Sequence, residues 1–124
     1  MIKKRKTKMK MINYGDIIVI GGGGFGRNPN APIIEKYIID QSNAIKPNIT
    51  FFPTASAENE NYIENYYKAF SQLNCNAKHI SLFSRTPDVK KIIEESDIIY
   101  IGGGNTKSML AVFEEWGVNQ LLIK

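Results

Sequence analysis

Asp16-Ile17-Ile18-Val19-Ile20-Gly21-Gly22-Gly23-Gly24 is a short strand-forming run halted by four glycines. From Ile17 to Ile20 every position is apolar, so both faces of the strand ask to be covered, as in a parallel sheet with helices on each side. The same design recurs outward along the chain. Ile49-Thr50-Phe51-Phe52 is closed by Pro53, Ala77 to Phe83 forms a third run, and Asp97 precedes Ile98-Ile99-Tyr100-Ile101, which again ends in glycines, Gly102 to Gly104. Between these runs lie amphipathic stretches. The first predicts a helix capped by Asn30, with Pro32 in its first turn, that buries Ile33, Ile34, Tyr37 and Ile38. In the second, Glu58 to Leu73, the residues Tyr62, Tyr66, Ala69, Phe70 and Leu73 recur three or four apart, a core stripe that leaves Glu60, Glu64 and Lys68 to water. A shorter helix starts near Thr86 or Pro87 with Asp88 in its first turn. A fourth runs from Thr106 to Trp116 through Met109, Leu110, Val112 and Phe113, with Gly117 as the residue after its end. The βαβαβαβα alternation predicts an α/β fold with a doubly wound, mainly parallel sheet. Leu121-Leu122-Ile123 then opens a new apolar segment without a cap or a partner strand, so the chain reads as truncated after the fourth strand and its helix.

The chain has 124 residues, 43% of them hydrophobic and 23% charged, which suits one domain with one core. No apolar run approaches the roughly 20 residues of a membrane span, so no membrane role is expected. A lone Cys75 excludes an internal disulfide and a Cys-x-x-Cys zinc site, and points to a reducing, cytoplasmic location. The net charge of +4 is local. Lys3, Lys4, Arg5, Lys6, Lys8 and Lys10 precede the first acid, leaving ten bases against twelve acids in the remainder. Residues 1–15 therefore read as a basic, solvated, disordered arm and 16–124 as the folded part. The folded part offers no basic face to nucleic acid.

The two glycine clusters are the informative features, because each follows a buried strand at the end where open α/β sheets place ligands. A strand order of 3-2-1-4 would set Gly21 to Gly24 and Gly102 to Gly104 on one crevice, with backbone N–H groups suited to an anion or oxyanion. Gly21-x-Gly23-x-x-Gly26 matches a dinucleotide fingerprint, yet Arg27-Asn28-Pro29-Asn30 intervenes before the helix, and Pro53 rather than an acid ends the second strand. Nucleophiles are scarce. Gly-x-Ser-x-Gly does not occur, His79 sits within the third strand as a structural residue, Cys75 reads as a bland buried or loop thiol, and Ser56 reads as the cap of the next helix or as a pocket residue.

Ile17-Ile18-Val19-Ile20-Gly21-Gly22-Gly23, Phe52-Pro53-Thr54-Ala55-Ser56 and Ile99-Tyr100-Ile101-Gly102-Gly103-Gly104-Asn105-Thr106 together resemble the dipeptidase E and cyanophycinase family of serine peptidases. The resemblance implies the class I glutamine amidotransferase-like fold and hydrolysis of aspartyl peptides, with no cofactor and no metal. It implies that Gly103, Gly104 and Asn105 form an oxyanion and substrate pocket, to which Gly22, Gly23 and Ser56 are candidate additions. The nucleophilic serine of that family stands on a Gly-x-Ser-Ala-Gly elbow after the next strand, and its histidine lies later still, so both are expected beyond Lys124 and this chain is expected to be inactive alone. The competing reading is a non-catalytic α/β module that binds a small anionic ligand or a nucleotide at its glycine loops. An uncovered edge on the fourth strand also predicts self-association.

Overall fold

The computed structural model describes residues 15–84 and 87–123. Residues 1–14, which hold all six basic side chains of the expected arm, lie outside that range, as does Thr86, one expected helix start.

Three parallel strands form the sheet, β1 (Asn48–Phe52), β2 (Asn76–His79) and β3 (Ile98–Ile101), in the order β2-β1-β3. Among the described residues five α-helices accompany them, α1 (Ile33–Asp40), α2 (Glu60–Phe70), α3 (Val89–Glu95), α4 (Thr106–Glu115) and α5 (Val118–Ile123), with a 3-10 turn at Thr54–Ser56. Side chains of successive strand residues point to opposite faces, and two apolar clusters result. Ile49, Phe51, Ile98 and Tyr100 face α1 and α2, where they meet Ile38, Ile39, Tyr66, Ala69 and Phe70. Phe52 and Ile99 face the other way, toward Val89 of α3, Phe113 of α4 and Val118 of α5. The fold is therefore α/β, with a parallel sheet covered on both sides.

The strand order departs from the expected 3-2-1-4. The second expected strand, β1, pairs directly with the fourth, β3, in the register Ile49↔Ile98 to Phe52↔Ile101. Their starts are locked together, since the Asn48 N–H donates to Asp97 Oδ2 at 2.8 Å and the Asp97 N–H donates to the Asn48 carbonyl at 2.8 Å. That pairing takes the place assigned to Asp16–Ile20, which belongs to no strand of this sheet. Ile18 and Ile20 still pack against the α1/α2 cluster, while Ile17 and Val19 are 89% and 88% exposed.

Local boundaries shift for identifiable reasons. Pro32, not Asn30, occupies the cap of α1, and the helix turns Ile38, Ile39 and Glu35 inward while Ile33 and Tyr37 remain exposed. The inward carboxylate has a purpose, because Glu35 Oε2 accepts the Phe25 N–H at 2.9 Å. Asn59 caps α2 by accepting the Tyr62 N–H at 3.0 Å, whereas Ser56 accepts the N–H of Asn59 itself at 3.3 Å. Asp88 caps α3 instead of lying in its first turn. The third strand stops at His79 rather than Phe83, because Glu58 captures the Leu82 and Phe83 N–H groups at 2.6 and 3.2 Å and bends the chain away.

Tyr66 ties the sheet to α2, its hydroxyl lying 3.1 Å from the Ile49 carbonyl and 2.9 Å from that of Lys78. Burial pushes the Tyr66 phenol well above its ordinary value of 10.0, with Tyr67 and Cys75 adding to the shift; burial does the same to Tyr100, helped by Tyr62 and Glu35. The folded chain thus holds these protons more tightly than the unfolded chain, so their contribution is complete below about pH 10 and is lost as the pH rises beyond it. Urea midpoints should fall between about pH 9 and about pH 11, and fall less in Tyr66→Phe. A midpoint independent of pH over that span contradicts this assignment.

Candidate functional site

The first glycine corner is held in place by the turn and the aromatic side chain that come directly after it. Gly22, Gly23 and Gly24 take φ values of +86°, +83° and +76°, a left-handed run that side chains rarely tolerate. The chain then closes a turn, with the N–H groups of Arg27 and Asn28 donating to the Gly24 carbonyl at 3.1 and 2.9 Å. Phe25 drops into the core with no exposed surface and meets the rings of Phe51, Tyr62, Tyr66, Phe70 and Tyr100 at centroid distances of 5.0 to 5.9 Å.

The second corner is fixed by close backbone contact. A Cβ on Gly102 would lie 2.8 Å from Phe51 and 2.9 Å from Tyr62, and one on Gly104 would overlap the carbonyl of Ala55. The Asn105 N–H donates to that same Ala55 carbonyl at 2.7 Å, while its side chain caps α4 by accepting the Ser108 N–H at 3.0 Å. Gly103 projects free of such contacts and donates its N–H to the Tyr62 hydroxyl at 3.3 Å.

Both corners open on one cleft of about 250 Å³, lined by Gly22 and Gly23 from the first, Gly103 from the second, and Tyr62 between them. Its long walls are Asp16, Ile18 and Ile20 on one side and all four residues of β3 on the other. Ser56 is not part of the lining. Its hydroxyl donates to the Pro53 carbonyl at 2.9 Å, and its backbone sits beneath Gly104.

The sequence profile described as Peptidase family S51 matches residues 17–124. This chain belongs to peptidase family S51. A Bacillus subtilis (strain 168) protein named Uncharacterized peptidase YgaJ is 43% identical over 107 residues, which cover 86% of this chain and 46% of the relative. A crystal structure of a "Putative Peptidase E Protein" from Listeria monocytogenes EGD-e superposes with a TM-score of 0.60 at 21% identity, covering 81% of this chain and 48% of that one. At that identity the likeness speaks for the fold. The chain spans about half the length of the relatives it matches.

Within this S51 chain the cleft presents backbone N–H groups, the phenols of Tyr62 and Tyr100, and the carboxylate of Asp16, with no serine, cysteine or histidine among the described residues of its lining. His79 is engaged elsewhere, its Nδ1 2.6 Å from the Tyr67 hydroxyl. Burial pushes the Cys75 thiol up, against a smaller opposing pull from Lys46, which disfavours the nucleophilic thiolate. Among the described residues no group of three or more His, Cys, Asp and Glu side chains is placed to hold a metal ion, and no helix is long and apolar enough to cross a membrane. A dinucleotide site is disfavoured by the distance in sequence between Gly24 and the start of α1 at Ile33, because the helix N-terminus does not open on the glycines.

Tyr62 is the cleft residue that periodicity assigns to the core. It serves both roles, with its ring against Phe25 and Phe51 and its hydroxyl at Gly103, and a helical stripe cannot distinguish an aromatic ring whose edge reaches a cleft.

Three substitutions test this geometry. Gly104→Ala should cost more than about 2 kcal/mol, whereas Gly103→Ala should stay within about 0.5 kcal/mol, both read from urea denaturation. Equal effects contradict the close contact with Ala55. Phe25→Ala should cost about 3–5 kcal/mol, and a loss below about 1 kcal/mol would show that Phe25 does not anchor the first corner.

Proposed function

We propose that these 124 residues form the glycine-loop portion of a cytoplasmic serine peptidase that hydrolyses aspartyl peptides through an acyl-enzyme. The observation that supports the reading is the convergence of Gly22, Gly23 and Gly103 on one cleft in an S51 chain. A serine from outside these residues attacks the peptide carbonyl carbon and forms an ester as the C–N bond breaks. Its proton passes through a histidine, also from outside these residues, to the departing amine. Water then cleaves the ester and regenerates the hydroxyl.

Gly103 and Gly104 are the proposed oxyanion donors, each N–H worth on the order of 3 kcal/mol in the transition state. The long Gly103 bond to Tyr62 is one that an anionic oxygen can replace. Asn105 contributes differently, because its own N–H is already committed to Ala55 and its side chain to Ser108. It sets the loop and the start of α4.

The test is a chimera in which residues 17–124 replace the matching segment of the Bacillus subtilis relative. The chimera should release amino acid from an α-aspartyl dipeptide and be labelled by a serine-directed phosphonate, while the 124 residues alone release none. Gly103→Pro in the chimera should lower kcat by about 100-fold or more with the fold retained by circular dichroism. A folded chimera that neither turns over aspartyl dipeptides nor takes the label contradicts the proposal. Stabilisation of the 124-residue chain by a nucleotide, without any by aspartyl peptides, would favour the small-anion module instead.

A further inference from the structure

Two glycines outside the proposed donor set stand on either side of one ring. A Cβ on Gly26, the last glycine of Gly21-x-Gly23-x-x-Gly26, would lie 3.2 Å from Cε1 of Tyr62, and one on Gly102 would lie 2.9 Å from Cε2 and 3.1 Å from the hydroxyl oxygen. Neither glycine has a positive φ, so what these positions supply is the lack of a side chain and not backbone freedom. Phe25 and Phe51 close further approaches, each with its ring centroid 5.1 Å from that of Tyr62. The Tyr62 N–H is bound by the capping Asn59. The ring is thus gripped from both glycine corners and from the first turn of α2.

A grip of this kind fixes the hydroxyl as well. The oxygen accepts the Gly103 N–H at 3.3 Å, and among the described residues it makes no other hydrogen bond. A phenol has one proton to donate, and here that proton is left for the cleft that Tyr62 lines. Burial alone needs the ring and not the hydroxyl, as the neighbouring Phe25 and Phe51 show. Tyr100, the other phenol of the lining, is placed differently. Its hydroxyl lies 3.5 Å from where a Cβ on Gly24 would stand, with Glu35 Oε2 3.2 Å from the same point, so it belongs to the first corner.

We propose that Tyr62 is a further catalytic residue of the acyl transfer set out above, its hydroxyl donating to the scissile carbonyl oxygen as that oxygen turns negative; the inference rests on the peptidase reading. Gly103 N and the Tyr62 hydroxyl oxygen are 3.3 Å apart, close enough for both to reach one oxygen at about 2.7–3.1 Å. When the oxygen arrives, the Gly103 N–H turns from the phenol to it and the phenol O–H turns the same way. No bond to Tyr62 forms or breaks, and the proton stays on the phenol. A hydrogen bond to an anionic oxygen is stronger than one to a neutral carbonyl, so the phenol binds the transition state better than the substrate, which is what raises kcat.

Tyr62→Phe in the chimera keeps the ring and removes the donor. With an α-aspartyl dipeptide its kcat should fall by at least about tenfold while KM stays within about threefold, and labelling by the phosphonate should slow in proportion. Gly26→Ala pushes on the ring from outside the cleft lining. It should lower kcat when Tyr62 is present and change little further in the Tyr62→Phe background. A smaller fall in kcat, or a loss carried by KM alone, in Tyr62→Phe that is folded by circular dichroism overturns the proposal. So do additive losses in the double variant. A folded parent chimera that is inert and unlabelled sinks the peptidase reading and the role of Tyr62 with it, whereas an active parent matched by an equally active Tyr62→Phe sinks the donor alone.

Discussion

The burial of Phe25 is the interaction on which the rest of the arrangement depends. Asp16–Ile20 belongs to no strand of the sheet, so strand pairing does not hold the first glycine corner in place. An aromatic side chain immediately after four glycines does, by entering the cluster of Phe51, Tyr62, Tyr66, Phe70 and Tyr100. Glu35 completes the anchor by accepting the Phe25 N–H from the first turn of α1. A buried carboxylate is expensive without a partner, and here its partner is the backbone of the corner itself.

The second corner is set by an opposite means. Ala55 and Gly104 approach so closely that only glycine fits, and the Asn105 N–H fixes the approach with a 2.7 Å hydrogen bond. Strand β1, the turn after it and the start of α4 are therefore one rigid unit. Tyr62 joins the two corners, with its ring in the Phe25 cluster and its hydroxyl at Gly103. The cleft is shaped by packing and backbone contact among these residues, which is the condition that the proposed oxyanion donors require.

Much of this is legible in the amino-acid sequence. Apolar runs ending in glycine or proline locate the strands, and the stripe Tyr66, Ala69 and Phe70 locates the buried face of α2. Neighbours are not legible. Ile17 to Ile20 reads as a central strand, yet the reciprocal bonds between Asn48 and Asp97 join β1 to β3 directly, and nothing local to either residue announces a contact across 49 positions. The face of α1 escapes periodicity for a related reason, since Ile33 and Tyr37 match the apolar period but the inward side is chosen by the demand of the Phe25 N–H for Glu35. Tyr62 shows the same limit at the site, because periodicity reports burial of a ring and is silent about where its hydroxyl ends.

The most direct measurement is a crystal structure of the chimera, inspected for the two glycine corners. Phe25 is expected buried against Phe51, Tyr62 and Tyr66, with Gly22, Gly23 and Gly103 opening on one cleft. A Phe25 side chain out of that cluster, or corners that open on separate surfaces, would contradict the account.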